Sequence, residues 1–132
     1  MRNILGLSIV FILLNACESE NKQFTKLSSS FTNIYFKNKL YETNSRNYFT
    51  NPYMYLGAGV AAGDFNNDGL EDLFFLGNMV PNKLYINKGD LKFNDISESA
   101  GIEGDDRWYS GVTLIDINND GFLDIYLSLI HI

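Results

Sequence analysis

Asp64, Asn66, Asp68, Gly69 and Asp72 occupy positions 1, 3, 5, 6 and 9 of a nine-residue segment, and Asp116, Asn118, Asp120, Gly121 and Asp124 occupy the same positions of a second one, 52 residues further on. In a tightly curled loop alternate residues point inward, and glycine at position 6 permits the positive-φ turn that brings position 9 back. Leu70 and Phe122, at position 7, are placed to offer backbone carbonyls. Carboxylate, amide and carbonyl oxygens are the donors of a hard cation that takes six to eight of them at about 2.3–2.6 Å, which is the chemistry of calcium. Two calcium sites are therefore expected, one from Asp64, Asn66, Asp68, Leu70 and Asp72, the other from Asp116, Asn118, Asp120, Phe122 and Asp124. Three carboxylates per loop repel one another until a divalent ion compensates them. Asn-Asp-Gly also makes hairpin turns with no metal at all. Five fixed positions arise by chance on the order of once in a million start sites, and here they recur in equivalent settings, which favours the metal.

The elements around the loops repeat as well. From Gly59 and from Gly111 onward the two segments align without gaps, each an apolar strand, the acidic loop and a second apolar strand. Ile115 stands where the first copy has Gly63, and Glu71 where the second has Leu123; neither is an expected side-chain ligand. Between the copies, Lys83-Leu84-Tyr85-Ile86-Asn87 and Leu91-Lys92-Phe93-Asn94-Asp95-Ile96 flank Lys88-Gly89-Asp90, a second hairpin with a glycine turn. One period thus holds about four strands. Four strands recurring at about 50 residues is the period of a β-propeller blade, and no long amphipathic helix competes with it.

Ahead of these elements lies a different kind of sequence. Arg2, eleven apolar residues at 4–14, and Leu14-Asn15-Ala16-Cys17 have the anatomy of a signal peptide. Eleven residues of helix rise about 16 Å, roughly half a hydrocarbon core, which disfavours a permanent span. Cys17 is the chain's single cysteine, so no disulfide within the chain can form and the thiol needs another reason. Leu14 to Cys17 resemble the bacterial lipobox, and that resemblance implies diacylglycerol on the Cys17 sulfur, cleavage before it, and an exported lipoprotein at the outer membrane or cell surface. Glu18-Ser19-Glu20 resemble the acidic surface-export signals of some Bacteroidota lipoproteins, although so short a stretch would also serve as a solvated linker. The expected organisation is a signal peptide at 1–16, a polar tether at 17–30 and a repeat region at 31–132, with order beginning near Phe31.

An EF-hand or dockerin loop needs an acidic ligand at position 12, where this chain has Phe75 and Leu127, so both are excluded. The strand-flanked loops instead resemble FG-GAP and VCBS repeats of integrin-α-like propellers. The likeness extends to Tyr53-Met54-Tyr55-Leu56-Gly57-Ala58-Gly59-Val60, to Asn82-Lys83-Leu84-Tyr85-Ile86-Asn87-Lys88-Gly89, to Phe93-Asn94-Asp95-Ile96-Ser97 and to Ala100-Gly101-Ile102. Together these stretches resemble VCBS-repeat lipoproteins of Bacteroidota related to cartilage acidic protein. The resemblance implies an all-β fold built of propeller blades, a propeller incomplete in this chain, and calcium in the loop that joins two strands of a blade.

The formal net charge is −6, and the signal segment holds Arg2 but no acidic residue, so the mature part is more acidic still. That argues against nucleic acid, whose affinity comes from Lys and Arg on phosphates. No Ser-His-Asp set, cysteine nucleophile or phosphate loop is visible, and His131 has no motif around it. The expectation is a non-catalytic binding or adhesion module with a glycan or protein ligand, and the alternative is the non-catalytic or N-terminal part of a carbohydrate-processing protein. Asp105-Asp106-Arg107 read as a solvated loop or a ligand contact, and Trp108 and Tyr109 as packing residues or a sugar-stacking platform. An uncapped pair of blades would leave Phe74, Phe75, Leu114, Ile125 and Tyr126 partly bare and favour aggregation or a broad melt.

Overall fold

The computed structural model describes residues 23–105 and 107–130. The signal segment, Cys17, the Glu18-Ser19-Glu20 stretch, Asp106 and His131 lie outside the described residues. Among the described residues six strands carry the fold: β1 (Val60–Gly63), β2 (Asp72–Phe75), β3 (Lys83–Asn87), β4 (Phe93–Asp95), β5 (Trp108–Ile115) and β6 (Asp124–Ile130). β1 to β4 form an antiparallel meander in the order β1-β2-β3-β4, and β5 and β6 form a separate antiparallel pair. Among the described residues the remaining elements are single turns: α1 (Ser29–Thr32), a 3₁₀ turn (Pro52–Tyr55) and α2 (Ser97–Ala100). Among the described residues no helix is long and apolar enough to cross a membrane. The fold is all-β, a four-stranded blade followed by a hairpin of the same design.

The repeat seen in the sequence is carried into the register. Gly63 pairs with Asp72 and Val60 with Phe75, and in the second copy the equivalent Ile115 pairs with Asp124 and Val112 with Leu127. Each acidic loop therefore leaves its first strand and enters its second at the same rung. The Lys88-Gly89-Asp90 turn joins β3 to β4, as the apolar runs on either side of it imply.

The core lies between the blade and the hairpin. Phe74, Leu76, Leu84 and Ile86 from the blade meet Tyr109, with Val112, Ile125, Leu127 and Leu129 of the hairpin packed against them. Phe74 is 1% exposed, which corrects the expectation that it lies bare: the β5–β6 hairpin lies over it. Phe75, Leu114 and Ile125 are half-buried and Tyr126 is exposed. On the blade's other face the extended stretch at 34–40 lies across β2 and β3. Phe36 stacks on Phe75 at 5.1 Å between centroids, Phe75 meets the Tyr85 ring edge-on, and the Asn38 and Asn78 side chains are joined at 2.6 Å. The Ser28 hydroxyl caps α1 by accepting the Phe31 N–H at 3.2 Å.

Two departures from repeat symmetry, at Gly63 and Leu123, have a packing cause. A Cβ at Gly63 would stand 2.5 Å from Leu114 Cδ1 and 2.8 Å from Leu123 Cδ1. The first blade therefore keeps a hole at Gly63, and the second supplies Leu123, where the first has exposed Glu71, to fill it.

Candidate metal centre

β1 and β2 deliver residues 64–72 as one closed loop, and β5 and β6 deliver residues 116–124 as the other. Their internal hydrogen bonds match atom for atom. The Asp68 N–H donates to both Asp64 Oδ1 and Asn66 Oδ1 at 3.1 Å, the Gly69 N–H to Asp64 Oδ2 at 2.7 Å, and the Leu70 N–H to Asp68 Oδ1 at 2.9 Å. In the second loop the Asp120 N–H donates to Asp116 Oδ1 and Asn118 Oδ1 at 3.1 Å, the Gly121 N–H to Asp116 Oδ2 at 2.9 Å, and the Phe122 N–H to Asp120 Oδ1 at 2.9 Å. Asn66 and Asn118 each donate an amide hydrogen to the Oδ2 of the position-5 aspartate, at 2.9 Å. The curl needs left-handed backbone at two places, and has it: Asn67 and Asn119 at φ 57 and 59, Gly69 and Gly121 at φ 84 and 88. Asparagine and glycine tolerate that region best.

Electrostatics follow from this wiring at Asp120. The Phe122 N–H, and after it the Asn118 amide, hold the Asp120 carboxyl below the usual carboxylate range. The position-9 residues differ between the copies. Asp72 is fully buried, with Oδ2 accepting the Phe65 N–H at 3.0 Å and Oδ1 accepting the Asn87 N–H of β3 at 2.7 Å. Asp124 repeats the first contact, accepting the Ile117 N–H at 3.0 Å, and is half-buried. Asn87 fastens the first loop a second time by donating its side-chain amide to the Glu71 carbonyl.

Among the described residues no three His, Cys, Asp or Glu side chains close on one point as a metal cluster. In each loop the position-1 carboxylate and the position-3 amide oxygen share the position-5 N–H, the position-5 carboxylate accepts the position-7 N–H and the position-3 amide hydrogen, and the position-9 carboxylate accepts the position-2 N–H. Each carboxylate oxygen has more than one acceptor site, so a hydrogen bond to a backbone N–H leaves a lone pair for a cation. The donor set is all oxygen and thus suits a hard ion; Leu70 and Phe122 stand at position 7 with exposed side chains.

Local reading of the sequence missed four asparagines. Asn67 and Asn87 serve the loops, while buried Asn78 donates to the Tyr109 carbonyl and buried Asn82 accepts the Gly77 N–H and donates to the Ile102 carbonyl. Trp108 and Tyr109 are buried, which settles them as packing residues and removes the sugar-stacking alternative. Asp105 is exposed and gripped by Arg107 at 2.6 Å; the Arg107 guanidinium and N–H, with the Tyr109 hydroxyl, hold its carboxyl well below the usual range. Arg46, Asn78, Met79, Glu103 and Asp105 line an open groove of about 570 Å³ beside it.

Comparisons with known proteins point to the same repeat. Cartilage acidic protein 1 of Xenopus tropicalis is 41% identical over 69 residues, those of Homo sapiens and Mus musculus 38% and 36% over the same length, 52% of this chain in each case. The chain spans only about a tenth of the length of these relatives, with coverage of 11%, 10% and 11%. No solved structure matches it significantly. Residues 64–127, from the first ligand position of one loop to the strand that closes the other, match the FG-GAP-like repeat, so this is an all-β chain of propeller-blade design carrying that repeat.

Proposed function

We propose that the chain is a calcium-binding, propeller-type binding or adhesion module of an exported lipoprotein, held to a membrane by acyl chains on Cys17, and that it performs no catalysis itself. The observation that carries this reading is the pair of loops whose oxygen donors and hydrogen bonds repeat position by position. Asp64, Asn66, Asp68 and Asp72 would hold one ion, and Asp116, Asn118, Asp120 and Asp124 the other, with the carbonyls of Leu70 and Phe122 completing the sets. Bound calcium would offset the repulsion among three carboxylates in each loop and stiffen the hairpin that carries it. The FG-GAP-like repeat supports a binding role, with a glycan or protein as ligand.

Each site is expected to bind with a dissociation constant of about 10⁻⁴ to 10⁻³ M, the range of extracellular modules, and to prefer calcium to magnesium, whose small octahedral shell suits this many oxygens badly. At about 1 mM calcium and a constant near 0.1 mM, linkage stabilises the fold by about 1.4 kcal/mol per site. Titration calorimetry should show two binding events in the wild type and none in an Asp68→Ala, Asp120→Ala double variant; equal heats from both proteins would defeat the reading. The anchor has a separate test. Mass spectrometry of membrane-extracted protein should find a diacylglyceryl group on an N-terminal Cys17, and a water-soluble product with free Cys17 would remove it.

A further inference from the structure

Asn67, the fourth residue of the first loop, bonds to none of that loop's expected side-chain ligands. Its amide Nδ2 donates instead to the Gly121 carbonyl in the second loop, at 3.0 Å, across 54 positions of sequence. The peptide that receives this bond has a second role, because its other end is the Phe122 N–H, which donates to Asp120 Oδ1 at 2.9 Å. Asn67, the Gly121–Phe122 peptide and Asp120 therefore form one chain of hydrogen bonds, in which each bond polarises and orients the next. The left-handed backbone at Asn67, φ 57, brings the side chain out of its own loop to make the bond. Asn119 has the same backbone, φ 59, and bonds to no residue of the first loop among those described.

The geometry points to Asn67 as a positioning residue that raises the calcium affinity of the second loop while leaving that of its own loop unchanged. This rests on the calcium reading above. Asn67 touches no ion itself; it fixes the peptide that aims Asp120, so that less ordering remains to be done when the second loop closes on its cation. One neutral hydrogen bond at an exposed site allows an effect of about two- to tenfold in affinity.

Asn67→Gly isolates the contact, since glycine adopts the same positive φ, carries no charge and lacks only the amide. Calcium titrations of the ¹⁵N-labelled full mature chain would follow the Gly69 and Gly121 amides, one reporter per loop in the same sample. The variant is expected to weaken the Gly121 midpoint two- to tenfold with Gly69 unmoved, and in EDTA to speed hydrogen exchange at the Phe122 amide. Asn119→Gly should change neither midpoint. An unchanged Gly121 midpoint in Asn67→Gly would overturn the inference and leave the calcium reading standing, as would equal weakening at both glycines, which marks general loosening. Absence of any calcium-dependent shift in the wild type would overturn the calcium reading itself, and this inference with it.

Discussion

Ser97 shows how much one side chain can join. It is fully buried; its hydroxyl accepts the Leu84 N–H at 3.0 Å and donates to Asp95, whose Oδ1 also accepts the Ser97 N–H at 3.0 Å. Lys83 reaches the other Asp95 oxygen at 3.1 Å. Ser97→Ala is expected to leave the buried Leu84 N–H unpartnered and to cost about 1–3 kcal/mol, measured by denaturant unfolding. The pH dependence has a definite sign. Burial alone would raise the Asp95 carboxyl, but the Ser97 hydroxyl and N–H and the Lys83 ammonium together hold it below its ordinary value. The stabilisation from Asp95 is therefore present above its unfolded pKa of about 3.9 and is lost as pH falls through the lower folded value. Lys83, raised mainly by Asp95, contributes below about 10.4 and loses that contribution as pH rises through its folded pKa. Between those limits both contributions are flat, and Ser97→Ala should reduce the acid-side slope. The Leu84 and Lys83 contacts were not legible locally, since they reach 13 positions from Ser97 and 12 from Asp95, whereas the Asp95–Ser97 pair is two positions apart. The acidic loops were legible because their hydrogen bonds join residues two to seven apart, so type and spacing carry nearly the whole geometry. Asn67 gave only a faint signal, an asparagine recurring as Asn119 at a position with no expected ligand role.

At the scale of elements, the hairpins could be read from apolar runs broken by Gly, Asn and Asp, because such runs are half-buried strands and such breaks are turns. The sequence showed that Gly63 and Leu123 break the repeat without showing why, since the hole and the side chains that fill it belong to different sheets. Gly63→Val should force the β5–β6 hairpin away from β1 and cost about 1–3 kcal/mol, the usual range for overpacking. Leu123→Glu, which makes the second repeat more like the first, should destabilise as well by setting a carboxylate against the same hole. Thermal melts of both, with hydrogen exchange faster on β5 and β6 than on β2 and β3, would bear this out; wild-type melting of Gly63→Val would show that the close approach carries no weight. The stretch at 34–40 was less legible. Its alternating exposure is that of a strand, yet its place is fixed by Phe36 on Phe75 and by Asn38 on Asn78, partners about 40 positions away.

For the molecule as a whole, the distribution of apolar surface matters more than its amount. The inward face of the hairpin covers Phe74, whereas Ile115, Ile117, Phe122, Tyr126 and Ile130 are exposed on its strands and loop, Ile117 at 70%. A second group of exposed aromatics, Tyr48, Phe49, Tyr53 and Tyr55, lies ahead of β1. Apolar side chains gathered on one element favour association. Sedimentation of the chain expressed from residue 17 onward should therefore show concentration-dependent oligomers even in saturating calcium. Replacing Ile117 and Tyr126 by serine should reduce them, and a monomer at all concentrations would contradict the prediction.

Asp72 also imposes a sequence of events. Its buried carboxylate is complete only when the Asn87 N–H arrives, 15 residues later in the chain, whereas Asp124 has its described contact within its own hairpin. A chain that emerges from its N-terminus onward therefore makes the first loop before it can finish it, and β3 acts as the closing step. A fragment ending before Lys83 should hold the first loop only loosely and bind terbium there more weakly than the full chain, while Asn87→Pro, which removes the same N–H, should reproduce that weakness in the full chain. The first loop thus waits on its own downstream sequence before its buried carboxylate is complete.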